Sequence, residues 1–149
     1  IAIKYLLGLN KRVAYVDIDA HHGDGVQAAF YDTDKVLTIS LHEDGHNLFP
    51  GTGFPNEIGT GRGRGYSINL PCPPDADDEI FVKGFEDIVP LFIKRFNTFI
   101  IRILYLGIKL SIIIYILFGN VNWIILVHMC SNSFYVVILL KISRVLDSL

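Results

Sequence analysis

Two cysteines, Cys72 and Cys130, are all that the 149 residues contain, beside one methionine and one tryptophan. So few thiols exclude a disulfide framework and make a reducing compartment the expected setting. Charge is also sparse. A 19% share of charged residues, a net charge of -2 and a pI near 6.2 exclude a nucleic-acid binder that works by bulk electrostatics. No secretion signal is present at the start: IAIKYLLGLNKR lacks Met and reads as the middle of something longer. What the chain has in excess is apolar surface, 51% hydrophobic residues with a mean hydropathy of +0.42. That excludes a disordered tail and leaves room for one modest domain.

A second scarcity divides the chain. All six prolines lie before residue 97, as does every acidic residue except Asp147. Residues 1–97 hold 14 acids and 9 bases, a balance of -5; residues 98–149 hold 1 acid and 4 bases, a balance of +3. The front reads as a globular α/β protein. The back is an apolar tail with almost no turn formers.

In the front, residues 1–9 carry apolar side chains at helical spacing, with Asn10 and Lys11 as a stop. Arg12–Val16 is a buried strand by length and residue type. Val26–Tyr31 reads as a helix, Val36–His42 as a second strand and Tyr66–Leu70 as a third. Between the last two lies Glu43–Gly65, a loop with seven glycines and two prolines. Ala76–Phe96 reads as a long helix, with acids in its first turn and Lys94 and Arg95 in its last. Strands alternating with helices predict a parallel sheet, whose sites gather at the carboxyl ends of the strands.

The first strand runs into Asp17-Ile18-Asp19-Ala20-His21-His22-Gly23-Asp24-Gly25. Capping of the next helix would use one of these residues; three Asp, two His and two Gly in nine exceed that need. Asp19 and His21, two apart at a strand end, project to one side if the backbone stays extended. A carboxylate oxygen and an imidazole nitrogen converging on one point suit a borderline cation such as zinc. Two ligands are one short of the three that a catalytic zinc takes from its protein.

The run Val13–Gln27 resembles the zinc-dependent histone deacetylase family, which includes acetoin-utilization proteins and acetylpolyamine amidohydrolases. The likeness continues in register through Thr38–His42, Phe49–Gly53 and Gly65–Pro71, covering about residues 1–97. It implies a three-layer arginase/deacetylase-like α/β fold on a parallel sheet, truncated at both ends and followed by an apolar tail outside the family. It implies that Asp19 and His21 are two of three zinc ligands. Asp17 and Asp24 correspond to the carboxylates that polarise a pair of adjacent catalytic histidines, which in the family lie upstream of residue 1. Phe49 corresponds to the wall of the tunnel that admits an acetyl-lysine stem. The backbone of Asp17, Asp19 and His21, with Ser40 and Leu41, corresponds to a potassium site. Phe30, Thr33, Val36 and Tyr66 correspond to a second monovalent-cation site, for potassium or sodium. The implied chemistry is hydrolysis of the amide of acetyl-lysine in a histone or other protein, or of an acetylated small amine, by metal-activated water. The family's third ligand follows the next strand, in a Gly-x-Asp motif. Here Asn97-Thr98-Phe99-Ile100 follows, with no further Asp before Asp147, so the chain by itself is expected to be inactive.

Other residues take plainer expectations. Tyr15 is core, and His22 is a packed, hydrogen-bonded histidine. His42 and His46 are surface histidines at the loop rim. Arg62 and Arg64 sit on a solvated turn, and Cys72 packs rather than reacts. In the tail, Leu110–Cys130 runs 21 residues without Lys, Arg, Asp or Glu, long enough for a transmembrane helix over 110–130. Asn120, Asn122 and His128 oppose that, and the mix of residues also suits translation outside the family's frame beyond Asn97. Membrane association is therefore not favoured, and a cytoplasmic or nuclear location is expected. An alternative of a different class is a non-catalytic, metal-incompetent remnant that serves as a binding or membrane-tethered module.

Overall fold

The computed structural model describes residues 1–98 in full and, beyond them, the backbone of residues 101–104, 113–118, 121–126 and 140–141. Four parallel strands form the frame: β1 (Val13–Asp17), β2 (Val36–Glu43), β3 (Ser67–Cys72) and β4 (Ile101–Leu104), in the order β3-β2-β1-β4. Every residue of β1 is buried, as expected of a strand covered on both faces.

The pleat sends alternate side chains to opposite faces. Ala14, Val16, Leu37, Ile39 and Leu41 meet α3 (Asp78–Phe96) through its buried stripe Phe85, Val89, Ile93 and Phe96. On the other face Val13, Tyr15 and Val36 pack with Ile3 of α1 (Ala2–Gly8) and, half-buried, Val26 of α2 (Asp24–Ala29). Helix, sheet and helix make three layers, the α/β architecture that the alternation of elements predicted.

Element ends differ by small, explicable amounts. The α3 helix begins at Asp78 because the Asp77 side chain accepts the Ile80 amide at 3.0 Å. Asn97, at φ 51°, closes it in the left-handed region, and Arg12 ties that end to β1 by donating to the Phe96 carbonyl at 2.7 Å. The helix after the polar cluster starts at Asp24, two residues before the sequence expectation.

The sheet continues past residue 97. β4 lies beyond it and pairs along β1 from Ala14↔Ile101 to Asp17↔Leu104. Its sequence, Ile-Arg-Ile-Leu, resembles in composition the residues that follow, so composition alone does not set it apart. Farther on, β5 (Ile113–Phe118), β6 (Val121–Leu126) and β7 (Leu140–Lys141) form an antiparallel sheet. The proposed transmembrane span 110–130 contains β5 and β6, and its remaining residues lie outside the described ones. Among the described residues no helix is long and apolar enough to cross a membrane.

Candidate metal centre

One face of the sheet becomes polar toward its carboxyl end. The registers Tyr15↔Thr38↔Ser67 and Asp17↔Ser40↔Asn69 line up two rows of polar side chains across three strands. All six are buried. β2 shows the cause: Leu37, Ile39 and Leu41 alternate with Thr38, Ser40 and His42, so one strand supplies apolar core below and polar groups above.

Asp17 ends β1 and is 2% exposed. Its Oδ2 accepts from the Tyr15 hydroxyl at 2.8 Å and its Oδ1 from the Asp19 amide at 3.1 Å. Burial pushes the Asp17 carboxyl above its ordinary value, although both hydrogen bonds pull the other way. The backbone leaves the strand at this point, so the extended geometry expected for Asp19 and His21 is not what joins them. A turn does. Asp19 Oδ1 accepts the His21 amide at 2.8 Å and the His21 ring at Nδ1, 3.1 Å away. Asp19 is buried and the His21 side chain is half-exposed.

This pair fits the cation that the resemblance implies. Two ligands at about 2.0–2.2 Å on a tetrahedral zinc stand roughly 3.4 Å apart, close to the observed gap. A cation between them would take the place of the Nδ1–Oδ1 hydrogen bond. Among the described residues no third His, Cys, Asp or Glu joins the pair.

The other expected site residues fall at separate places. Ser40 and Leu41 lie on β2 beside the end of β1, where Asp17 pairs with Ser40. Asp24 is exposed at the first turn of α2, its Oδ1 accepting the Gly25 amide at 2.7 Å. Of the expected second cation site, Phe30 and Val36 share the cluster on the α1 face and the Thr33 amide donates to the Phe30 carbonyl, whereas the Tyr66 ring packs on Phe96 at the other face and its carbonyl accepts the Thr38 amide. Phe49 sits in the loop between β2 and β3, with its side chain open to solvent at 79% exposure.

Of the histidines, His22 is packed as expected. Its Nδ1 lies 2.8 Å from the Thr52 hydroxyl and its Nε2 3.3 Å from Gln27 Oε1. His46 is exposed; its backbone amide, at 2.8 Å, and then its ring Nδ1, at 2.6 Å, donate to Asp44 Oδ1 and together lower the Asp44 carboxyl. His42 is a correction: it is 1% exposed and belongs to β2. Its Nε2 must donate to the Gly53 carbonyl at 3.0 Å, so its Nδ1 accepts from Ser40 Oγ at 2.9 Å. Burial, with His22 nearby, holds its imidazole below the usual range. Period-two alternation carried one residue past Ser40 would have placed it there. Arg62 and Arg64 are exposed around a short 3-10 turn, Gly61–Gly63, and Cys72 is half-buried with its thiol pushed up by burial.

Two residues with no sequence signal complete the floor. Gln27 Oε1 accepts from Ser67 Oγ and Asn69 Nδ2, both at 2.7 Å, while its Nε2 donates to Glu57 Oε2 at 2.6 Å. Burial raises the Glu57 carboxyl, but donation from Phe54, Gln27 and Gly53 outweighs it, and the net direction is down.

A parallel sheet covered by helices on both faces, with a carboxylate–imidazole pair just past the end of β1, defines an α/β protein with its candidate site at the carboxyl end of the strands. The comparisons narrow this. The family model for the histone deacetylase domain matches residues 1–107, ten residues past the compositional break and through β4. The chain belongs to the histone deacetylase family. It is 44% identical over 104 residues to a probable deacetylase of Archaeoglobus fulgidus, covering 69% of this chain and 28% of that protein. It is 49% identical over 86 residues to the acetoin utilization protein AcuC of Bacillus subtilis, covering 57% and 22%. A deacetylase homologue from Aquifex aeolicus superimposes with a TM-score of 0.64 at 42% identity, covering 68% of this chain and 28% of that one. The chain thus spans about a quarter of the length of the relatives it matches.

Proposed function

We propose that residues 1–107 are part of the catalytic domain of a zinc-dependent deacetylase, acting on acetyl-lysine in a histone or other protein or on an acetylated small amine. The observation that carries this is the 3.1 Å approach of Asp19 Oδ1 to His21 Nδ1 at the carboxyl end of β1, inside the family-matched region. Asp19 and His21 hold the zinc. When bound, zinc polarises the amide carbonyl and lowers the pKa of a water. The chain's own residues prepare the place. The Asp19 carboxylate orients the His21 ring, and Asp17, fixed from both sides, keeps a second carboxylate in a nearly dry setting. Asp17 and Asp24 accept ring N–H groups of histidines from the rest of the domain, which sets their tautomer. Phe49 offers an apolar wall to the methylene stem of the substrate.

A monovalent ion, potassium or sodium, under Asp17, Asp19, His21, Ser40 and Leu41 balances the carboxylates; a second one takes Phe30, Thr33, Val36 and Tyr66. A cytoplasmic or nuclear location follows from such a substrate. One observation favours the alternative of a metal-incompetent binding module: only two ligand-type side chains converge among the described residues.

A chimaera separates the two. Residues 1–107 replace the matching segment of the Archaeoglobus protein, and acetate release from an acetyl-lysine peptide is followed. The deacetylase assignment expects zinc-dependent release that Asp19→Asn and His21→Ala each abolish, with background release from the isolated chain. A folded chimaera that works equally well with Asp19→Asn would overturn it.

A further inference from the structure

The loop of residues 44–66, which carries Phe49, meets the main apolar core only at its last residue, Tyr66, whose ring packs edge-on against Phe96. Its only buried residues are Gly53, Gly59 and Gly63. Polar contacts hold it instead, and they converge on residues 52–54. Glu57 Oε1 accepts the amides of Gly53 and Phe54 at 2.9 and 3.0 Å. Thr52 binds His22, and the Gly53 carbonyl binds His42. Three links tie this knot to the sheet: His42 of β2, the Asn69 side chain, which donates to the Glu57 carbonyl at 3.1 Å, and the Gln27 amide, the one that reaches the Glu57 carboxylate. Gln27 joins Glu57 on one side to Ser67 and Asn69 of β3 on the other.

We infer that Gln27 and Glu57 are positioning residues, a latch that ties residues 53–57 of the loop carrying Phe49 to the polar end of the sheet and so sets the substrate passage. The inference rests on the proposed role of Phe49. An amide is suited to this place because it donates to a carboxylate and accepts from a hydroxyl and an amide at the same time. Two carboxylates in the same positions, 2.6 Å apart, would repel unless they shared a proton. Exchanging the two residues, by contrast, preserves every bond. A glutamine at 57 accepts the Gly53 and Phe54 amides through its oxygen and donates through its nitrogen to a glutamate at 27, which still accepts from Ser67 and Asn69.

That exchange is the test. Amide hydrogen exchange of the full chain is measured for wild type, Gln27→Glu and the double variant Gln27→Glu/Glu57→Gln, together with binding of an acetyl-lysine peptide followed by the Phe49 ring resonances. Gln27→Glu is expected to speed exchange at Gly53 and Phe54 by at least about tenfold, while β1 and β2 keep their protection. Peptide binding should weaken in parallel, and the double variant should restore both. Unchanged exchange in Gln27→Glu, or a double variant no better than the single one, overturns the latch. If exchange follows the expected pattern but a chimaera of residues 1–107 in the Archaeoglobus protein binds the peptide equally well with Phe49→Ala, the substrate role of Phe49 is refuted, and the positioning role with it.

Discussion

Gly23→Ala probes the Asp17 carboxylate without touching it. Gly23 lies at φ -77°, where alanine is at ease, so the backbone supplies no strain. A Cβ there would meet Asp17 Oδ2 head-on and Cγ at 3.3 Å. Asp17 has nowhere to go: it is 2% exposed and anchored by the Tyr15 hydroxyl and the Asp19 amide. Moving it forfeits the bond from Tyr15, roughly 1.5–3 kcal/mol for a partner that can be charged. Replacing glycine by alanine at the residue preceding α2 adds about 1 kcal/mol. The expected loss is therefore about 3 kcal/mol, a large part of a typical domain's total stability. Urea unfolding followed by far-UV circular dichroism reads this as a midpoint lowered by roughly 2 M. Tyr15→Phe, combined with it, tests the route. If both changes act through the same carboxylate, the double variant falls short of additivity by about 1 kcal/mol or more. A Gly23→Ala midpoint equal to wild type, or full additivity, would refute the reasoning.

Gly53→Ala should loosen the loop. At φ +88° alanine is strained, and its Cβ would meet the His42 ring and His22 Cγ, so about 3 kcal/mol is lost, read as faster amide exchange over residues 44–66. Acid should destabilise the fold in two windows. His42, with His22 and Glu57 as its charged neighbours, has a folded pKa below 6.5; the unfolded chain then takes up the proton first, and stability falls as pH drops below that value. Glu57, lowered from 4.5, adds a further loss below that pH. Asp17, raised from 3.8, acts in the opposite direction, gaining stability as pH falls toward 3.8. His42→Asn should flatten the upper window of a urea-midpoint profile; an unchanged slope there would contradict the assignment.

The residues that spoke clearly from the sequence were those whose burial and chemistry agree. Val13–Val16 and the Leu37, Ile39, Leu41 alternation defined the strands, and Asp19 with His21 marked the site through residue type alone. Three features were hidden for physical reasons. β4, Ile-Arg-Ile-Leu, resembles in composition the residues that follow it, so the compositional break at residue 97 falls before it. His42 looked like a rim residue because the second strand was expected to end there and its neighbours Glu43 and Asp44 are polar; its burial depends on the loop folding back to present the Gly53 carbonyl. Gln27 closes the run that carries the resemblance but has no role assigned by it, Glu57 lies 30 residues on, and their bond exists only once α2 and the loop meet. Asp19 and His21 converge, but through a side-chain-to-backbone turn and not through an extended strand.

The claim on which the functional reading stands is that Asp19 and His21 grip one divalent ion. The chain contains a natural competitor, since Asp44 and His46 also lie within hydrogen-bonding distance of each other and are more open to solvent. Zinc titration followed by the imidazole nitrogen resonances of both histidines decides between them. The site at the end of β1 predicts that His21 responds first, at Nδ1, and that Asp19→Asn removes its response while leaving that of His46 in place. A response confined to His46, or one at His21 that survives Asp19→Asn, would contradict it.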